Sequence, residues 1–139
     1  SDSYYIVEIK SLKRILDAVD KTGRPVLCFI DEVLRGTNTV ERIAASSEIL
    51  KNLNTGRALC FAATHDIELT TILKDCYSNY HFQEEVTEDE VKFDYKLYAG
   101  PATTRNAIKL LNVIGYDKNI IKGAEQRAMH FLTDGNWKS

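Results

Sequence analysis

The stretch Val26-Leu27-Cys28-Phe29-Ile30-Asp31-Glu32 is a short apolar run closed by two carboxylates. It is rich in β-branched and aromatic residues, which favours a strand over a buried helix. Because its apolar side chains are consecutive, we expect a strand covered on both faces, as in a parallel sheet. A second run of the same character extends from Ala58 to Ala63 and is followed by Thr64-His65.

The segment between the two runs has the spacing of a helix. Apolar and small residues recur at intervals of three and four from Val40 to Leu53, and Asn54-Thr55-Gly56 then stops the pattern. Strand, helix and strand in this order predict a βαβ unit with parallel strands. Ligands bind at the carboxyl ends of such strands, so we expect the Asp31-Glu32 pair and His65 to converge there.

The rest of the chain predicts an α/β domain with an appended helical tail. An amphipathic helix should run from Ser3 to about Asp20, because its apolar residues share one face. A short helix is expected from Asp66, as its N-cap, to Leu73. A hairpin with arms Tyr77 to Val86 and Val91 to Tyr98 should follow. Two helices, separated by Gly115, are expected at about Thr103 to Val113 and Lys118 to Thr133.

Composition excludes several classes of protein. The chain has 139 residues, a formal net charge of -2 and a pI near 5.9, which argues against a dedicated nucleic-acid-binding module. No apolar run approaches the roughly 20 residues that span a bilayer, so we expect no membrane association. Three widely spaced cysteines indicate reduced thiols in a cytoplasmic protein rather than a disulfide framework or a zinc site.

An apolar strand followed by Asp-Glu is the pattern of the Walker B motif in NTPases. There the first carboxylate, here Asp31, helps to hold Mg²⁺, usually through water. The second, Glu32, can orient or deprotonate the attacking water, and His65 could bond the γ-phosphate. The alternative is structural: a solvated acidic strand end and a histidine that packs or caps a helix. The pattern G-x-x-x-x-G-K-[ST] does not occur in the sequence, so we expect the phosphate-binding loop upstream of it.

Three stretches together resemble the MutS family of DNA mismatch repair ATPases. They are Asp31 to Thr39 (DEVLRGTNT), Ala63 to Leu69 (ATHDIEL) and the opening Ser3 to Ile9 (SYYIVEI), which is similar to that family's signature segment. Near the end, the residues Tyr95-Lys96-Leu97, Gly100, Asn106-Ala107-Ile108 and Gly115-Tyr116 resemble the family's closing strand and helices. The resemblance covers essentially the whole chain.

This resemblance implies a P-loop NTPase fold of the ABC-ATPase type. Residues 1–139 would form the C-terminal portion of the ATPase domain, with a mainly parallel sheet, a β-hairpin and a C-terminal helical tail. The implied catalytic residues are Glu32, as the base, and His65, as the switch histidine. The implied nucleotide-binding residues are Asp31, which binds Mg²⁺ through water, Ser3, which contacts the γ-phosphate bound to the opposite subunit, and Asn38. The residues Arg35, Gly36, Thr37 and Asn38 would form a loop that crosses the dimer interface.

The implied function is a DNA-dependent ATPase of mismatch repair that uses ATP and Mg²⁺ at a dimer interface to gate a DNA clamp. Its partner would be a MutS-like subunit, as a homodimer, and double-stranded DNA would be bound by other domains. One alternative is a MutS-related ATPase that acts on other DNA structures, this fragment alone being an inactive dimerisation or interaction module. Another is an unrelated metal-dependent phosphohydrolase that uses Asp31, Glu32 and His65.

The chain departs from the family's pattern in several places, one of which is the opening Ser3-Tyr4-Tyr5, a loose version of the signature. Mismatch-recognising members usually carry Gly where Leu34 stands and Ser or Thr where Asn38 stands. Their closing helix usually reads Ser-aromatic-Gly, where this chain has Arg105 and Asn106 nearby. These departures point to a divergent MutS-related branch while leaving the ATPase interpretation intact.

Overall fold

The computed structural model describes residues 3–21, 23–103 and 106–139. The chain forms two compact units, the first ending at Asn79 and the second beginning at Tyr80. The elements of the first unit are α1 (Tyr4–Lys21), β1 (Val26–Asp31), α2 (Thr39–Leu53), β2 (Ala58–Ala63) and α3 (Glu68–Ile72).

The first unit is built on the predicted βαβ arrangement. Strands β1 and β2 are parallel, and their register runs from Val26 opposite Ala58 to Asp31 opposite Ala63. Helix α2 connects them and is capped at its start by the Asn38 side chain. The two strands therefore end side by side, and the residues that follow them are brought to one edge of the pair.

The described residues cover only one face of the β1–β2 pair, whereas the apolar runs predict coverage on both faces. Cys28 and Ile30 are buried in a cluster with residues of α1, α2 and α3. The alternate positions are exposed, and Phe29 stacks on Phe61 of β2 with ring centroids 5.4 Å apart. Successive side chains on a strand point to opposite faces, so a run of consecutive apolar residues makes both faces apolar. Such a run does not indicate which face the rest of the chain covers.

The start of α3 also differs from the prediction. The helix begins at Glu68, and its N-cap is Ile67, which makes no side-chain capping bond. Asp66, the expected N-cap, instead accepts two hydrogen bonds from Arg42 of α2. The Asp66 carboxylate therefore binds Arg42 of α2 and does not cap α3 as the local pattern predicted.

The second unit contains short antiparallel strands and two helices. Its elements are β3 (Tyr80–His81), β4 (Glu84–Val86), β5 (Val91–Phe93), β6 (Tyr98–Ala99), α4 (Ala107–Ile114) and α5 (Lys118–Asp134). Strand β3 pairs with β6 and β4 pairs with β5. Within the described ranges, the sheet structure is thus three separate two-stranded pairs, of which only β1–β2 is parallel, rather than the expected mainly parallel sheet.

The predicted hairpin is present, and its arms pair in two places, β4 with β5 beside the turn and β3 with β6 farther from it. The alternating stretch breaks after β5, where Asp94 accepts a hydrogen bond from the Lys96 N–H and Tyr95 has φ 56°. This local turn interrupts the predicted ladder, which resumes where Tyr98 pairs with His81. Helix α4 begins at Ala107, later than the predicted Thr103, and ends at Gly115 with φ 98° as the sequence indicated. The departure noted at Arg105 lies outside the described residues.

None of the helices in the described part of the chain is both long and apolar enough to cross a membrane.

Candidate active site

The ends of β1 and β2 bring together the residues that the sequence singled out. The Glu32 N–H donates to the Ala63 carbonyl oxygen at 2.8 Å, which extends the pairing past Asp31. The Glu32 Oε1 then lies 2.9 Å from Nε2 of His65. Of the two carboxylates expected to converge with His65, Glu32 is the one in contact with it. Asp31 is exposed at the end of β1.

The backbone that carries the site is left-handed at two positions. Glu32 has φ 54° and Leu34 has φ 55°, a conformation that costs a residue other than glycine roughly 1–2 kcal/mol. Val33 and Leu34 are 2% and 1% exposed, so their buried side chains offset that cost. The family's usual glycine at the Leu34 position fits the same backbone, because glycine adopts positive φ freely. The departure therefore preserves the loop's conformation by a different means.

Arg35 connects the site to the start of α1. Its backbone N–H donates to Glu8 Oε2 at 3.1 Å, and its Nη1 donates to Glu32 Oε2 at 3.2 Å. Its Nη2 donates to the Tyr4 hydroxyl, and the guanidinium carbon lies 5.3 Å from the centroid of the Tyr4 ring. The hydrogen bond with Tyr4 is the main reason that the pKa of Arg35 is raised, so the side chain stays charged.

Tyr4 and Glu8 were not singled out as site residues from the sequence. Their i, i+4 spacing places them on one face of α1, which is the signal that could have indicated a shared partner. That the partner is Arg35, 31 and 27 residues away along the chain, follows only from the fold.

The other residues of the proposed interface loop have partners within the chain. Gly36 packs against Tyr5. The Thr37 carbonyl accepts from Arg42 Nη1 at 3.4 Å. Asn38 Oδ1 accepts from the Glu41 N–H at 3.0 Å and so caps α2. Serine and threonine, the usual residues of the family at the Asn38 position, are also favoured N-caps, so this departure keeps the capping function.

Ser3 lies at the start of α1. Its Oγ accepts a hydrogen bond from the Ile6 N–H at 3.4 Å, and its carbonyl accepts from the Val7 N–H at 3.1 Å. The residue is exposed. Its position at the helix start is therefore clear, while its proposed contact with a nucleotide remains a prediction.

An ion pair between Arg42 and Asp66 holds the loop after β2, which carries His65. Arg42 donates to both oxygens of Asp66, from Nε at 2.7 Å and from Nη2 at 2.6 Å. These hydrogen bonds are the main reason that the pKa of Arg42 is raised. The Asp66 N–H in turn donates to Thr64 Oγ1 at 2.9 Å. The pair joins α2 to the loop after β2, and its 24-residue separation gives no local signal in the sequence.

Among residues 3–21, 23–103 and 106–139, no three histidine, cysteine, aspartate or glutamate side chains gather closely enough to hold a metal ion directly. The acidic residues of the site are Asp31 and Glu32, and the side chain of His65 beside them is 91% exposed. These donors suit a hydrated cation better than one bound by protein groups alone.

Known proteins match this chain over most of its length. Residues 1–132 match the family model MutS domain V. The DNA mismatch repair protein MutS of Natronomonas pharaonis is 33% identical over 127 residues, which are 89% of this chain and 14% of that protein. DNA mismatch repair protein MutS 2 of Haloarcula marismortui is 28% identical over 135 residues, 95% of this chain and 14% of that protein.

A third relative, the MutS protein of Thermus thermophilus, is 25% identical over 122 residues, 88% of this chain and 15% of that protein. The chain thus spans about one-seventh of the length of the curated relatives that it matches. The match extends over nearly all of the chain and includes both loops of the site. The chain therefore belongs to the MutS family of mismatch repair proteins and corresponds to part of their domain V.

Proposed function

We propose that residues 1–139 are the C-terminal portion of a MutS-type ATPase domain with a P-loop NTPase fold of the ABC-ATPase type. In this proposal the domain hydrolyses ATP with Mg²⁺ to gate a DNA clamp. The observation that carries it is the Glu32–His65 pair at the ends of the parallel strands β1 and β2, 2.9 Å apart. Ligands of open α/β sheets bind at this edge.

Each residue at this edge has a chemical role in the proposal. The exposed Asp31 carboxylate suits a water-mediated contact with Mg²⁺, because that ion keeps much of its hydration shell. Glu32 orients or deprotonates the water that attacks the γ-phosphate. His65 is exposed and held at Glu32 Oε1, from which its ring can bond the γ-phosphate. Magnesium, when bound, neutralises charge on the phosphates.

The remaining parts of the activity belong to the longer protein. Because the relatives are about seven times as long, we assign the phosphate-binding loop, the DNA clamp and the contacts with double-stranded DNA to segments outside these residues. The proposed partner is a MutS-like subunit, as a homodimer. Ser3 would contact the nucleotide of that subunit, and the loop from Arg35 to Asn38 would lie at the dimer interface.

The test of the catalytic assignment is Glu32→Gln in the longer protein. We expect MgATP binding within about twofold of wild type and hydrolysis lowered roughly 10²- to 10⁴-fold, because an amide cannot accept the water proton. The matched control is Glu48→Gln on the exposed face of α2, which should leave both quantities unchanged. Near-normal turnover of Glu32→Gln would remove this residue from the proposed role.

The DNA assignment needs a separate experiment. Steady-state ATP hydrolysis is measured with matched duplex, with mismatched duplex and without DNA. Different kinetics on the mismatched duplex would support a mismatch sensor. Equal rates on both duplexes would favour the divergent branch that acts on another DNA structure. Binding of MgATP by the isolated chain tighter than about millimolar would contradict the assignment of the phosphate-binding loop to another segment.

A further inference from the structure

Both carboxylate oxygens of Glu32 have a partner. Oε1 faces His65 at 2.9 Å and Oε2 accepts from Arg35 Nη1 at 3.2 Å. The two partners differ in how firmly they are held. The His65 side chain is 91% exposed, whereas Arg35 has two further contacts with α1. Arg35 is therefore the more fixed of the two groups that define where the Glu32 carboxylate lies.

The contacts of Arg35 determine its orientation. Glu8, whose side chain is only 15% exposed, accepts from the Arg35 backbone N–H, and its Oε1 lies 3.8 Å from Arg35 Nε. Tyr4 accepts from Nη2 and lies with its ring beside the guanidinium. A guanidinium is planar and its donors have fixed directions, so holding one edge on α1 fixes the edge that faces Glu32.

We propose that Arg35 is a positioning residue for Glu32 of the same chain, and that Tyr4 and Glu8 of α1 hold Arg35 in place. This inference rests on the proposed ATPase function and adds to it. The resemblance implies an interface role for the loop from Arg35 to Asn38, and the contacts described above give Arg35 a further role within its own chain. An aligned carboxylate matters for a general base, since small displacements of a reacting group lower rates severely.

The test uses the longer protein and measures kcat and KM for MgATP. We expect Arg35→Ala to lower kcat about 10- to 100-fold, with KM within twofold, because one charge-assisted hydrogen bond to Glu32 is lost. Arg35→Lys should restore only part of kcat, since a single ammonium cannot contact Glu32 and Tyr4 with the same geometry. Tyr4→Phe should lower kcat several-fold by releasing Nη2 alone.

A second measurement separates positioning of Glu32 from a general structural effect. In a Glu32→Gln background, adding Arg35→Ala should change the single-turnover rate less than twofold, because Arg35 acts through the carboxylate that is already absent. The controls are Arg14→Lys on α1, whose guanidinium bonds Ser11, and Tyr95→Phe, whose side chain is exposed. Thermal midpoints of all variants show whether each one folds.

The outcomes distinguish a failure of the proposed role of Arg35 from a failure of the proposed ATPase function. An active wild type whose kcat is unchanged by Arg35→Ala and Tyr4→Phe would overturn this inference and leave the proposed function standing. The inference would also be overturned if Arg35→Ala lowered the rate equally in the wild-type and Glu32→Gln backgrounds. A change in KM with no change in kcat would overturn it as well. A wild type without ATP hydrolysis would overturn the proposed function and the inference together.

Discussion

Gly36 lies directly against Tyr5 of α1. A Cβ built on Gly36 would be 2.8 Å from the Tyr5 Cβ and 3.3 Å from its Cα, so there is no room for any side chain at this position. The close approach lets the loop after β1 run along the first two turns of α1, where Tyr4 and Glu8 bind Arg35. Glycine is required here for space, because its φ is not in the left-handed region.

We predict that Gly36→Ala destabilises this chain by about 1–3 kcal/mol, because the added methyl group must displace the Tyr5 backbone. The matched control is Gly123→Ala in the interior of α5, where a Cβ would meet nothing within 4 Å. That variant should gain up to about 1 kcal/mol from helix propensity. Urea unfolding followed by circular dichroism measures both. A Gly36→Ala variant as stable as wild type would show that the contact is not tight.

A second prediction concerns the left-handed backbone at Leu34. Leu34→Ala should lose about 2–5 kcal/mol, because a fully buried side chain is truncated. Leu34→Gly should be more stable than Leu34→Ala by roughly 1 kcal/mol, since glycine adopts φ 55° without strain. At most positions the alanine variant is the more stable of the two, because glycine loses more conformational entropy on folding. Denaturant midpoints of the two variants decide it, and an alanine variant more stable than the glycine variant would contradict it.

A third prediction concerns the ion pair of Arg42 and Asp66. Their side chains are 21% and 14% exposed, and both carboxylate oxygens are bonded. Arg42→Lys should cost about 1–2 kcal/mol, because an ammonium cannot reproduce the two-point contact. A double-mutant cycle to alanine should give a coupling of at least about 1 kcal/mol.

The control for that cycle is the exposed pair of Lys13 and Asp17 on α1, whose closest atoms are 3.4 Å apart and whose side chains are 73% and 39% exposed. Its coupling should stay below about 0.5 kcal/mol, because solvent screens exposed pairs. Equal coupling in the two pairs would contradict a special role for the first one in holding the loop after β2.

The fourth prediction is a loss of stability at alkaline pH. Burial, with a smaller contribution from the neighbouring Cys28 thiol, raises the pKa of Cys60 from 9.0 to about 12. Between these values the unfolded chain releases the thiol proton and the folded chain keeps it, so the free energy of unfolding falls as pH rises. Below pH 9 this contribution is fully present, and above about pH 12 it is lost.

Cys60→Ala and Cys60→Ser remove the titrating thiol. Both should show a shallower decline of the urea midpoint from pH 8 to pH 11 than wild type under reducing conditions. Because the two substitutions differ in polarity but share the missing thiol, their declines should agree. A decline in both variants as steep as that of wild type would assign the alkaline instability to other groups.

The sequence predicted those parts of the fold that depend on neighbouring residues. The two apolar runs became β1 and β2, the helical spacing after Asn38 became α2, and Gly115 ended α4. The convergence of Glu32 and His65 was also predictable, because it follows from parallel strands that end together. In each case the information is local or follows from a single topological rule.

The parts that were missed depend on contacts between distant segments. The local sequence predicted that the Asp66 carboxylate caps a helix. It instead accepts two charged hydrogen bonds from Arg42, which is 24 residues away along the chain. The exposed face of β1 could not be predicted because its alternate positions are equally apolar, so the pattern carries no sign of which face is covered. The contacts of Arg35 with Tyr4 and Glu8 required the position of α1 relative to the loop.

The uncovered face of β1 and β2 affects how this chain behaves at high concentration. In the described part of the structure each strand has one edge without a hydrogen-bonded neighbour, and Leu27, Phe29, Leu59 and Phe61 are all more than half exposed on the pair. An open edge beside an apolar surface is a template for intermolecular β-pairing. Solubility of the isolated chain should therefore be limited by this pair of strands, and threonine in place of Phe29 and Phe61 is the change that should raise it.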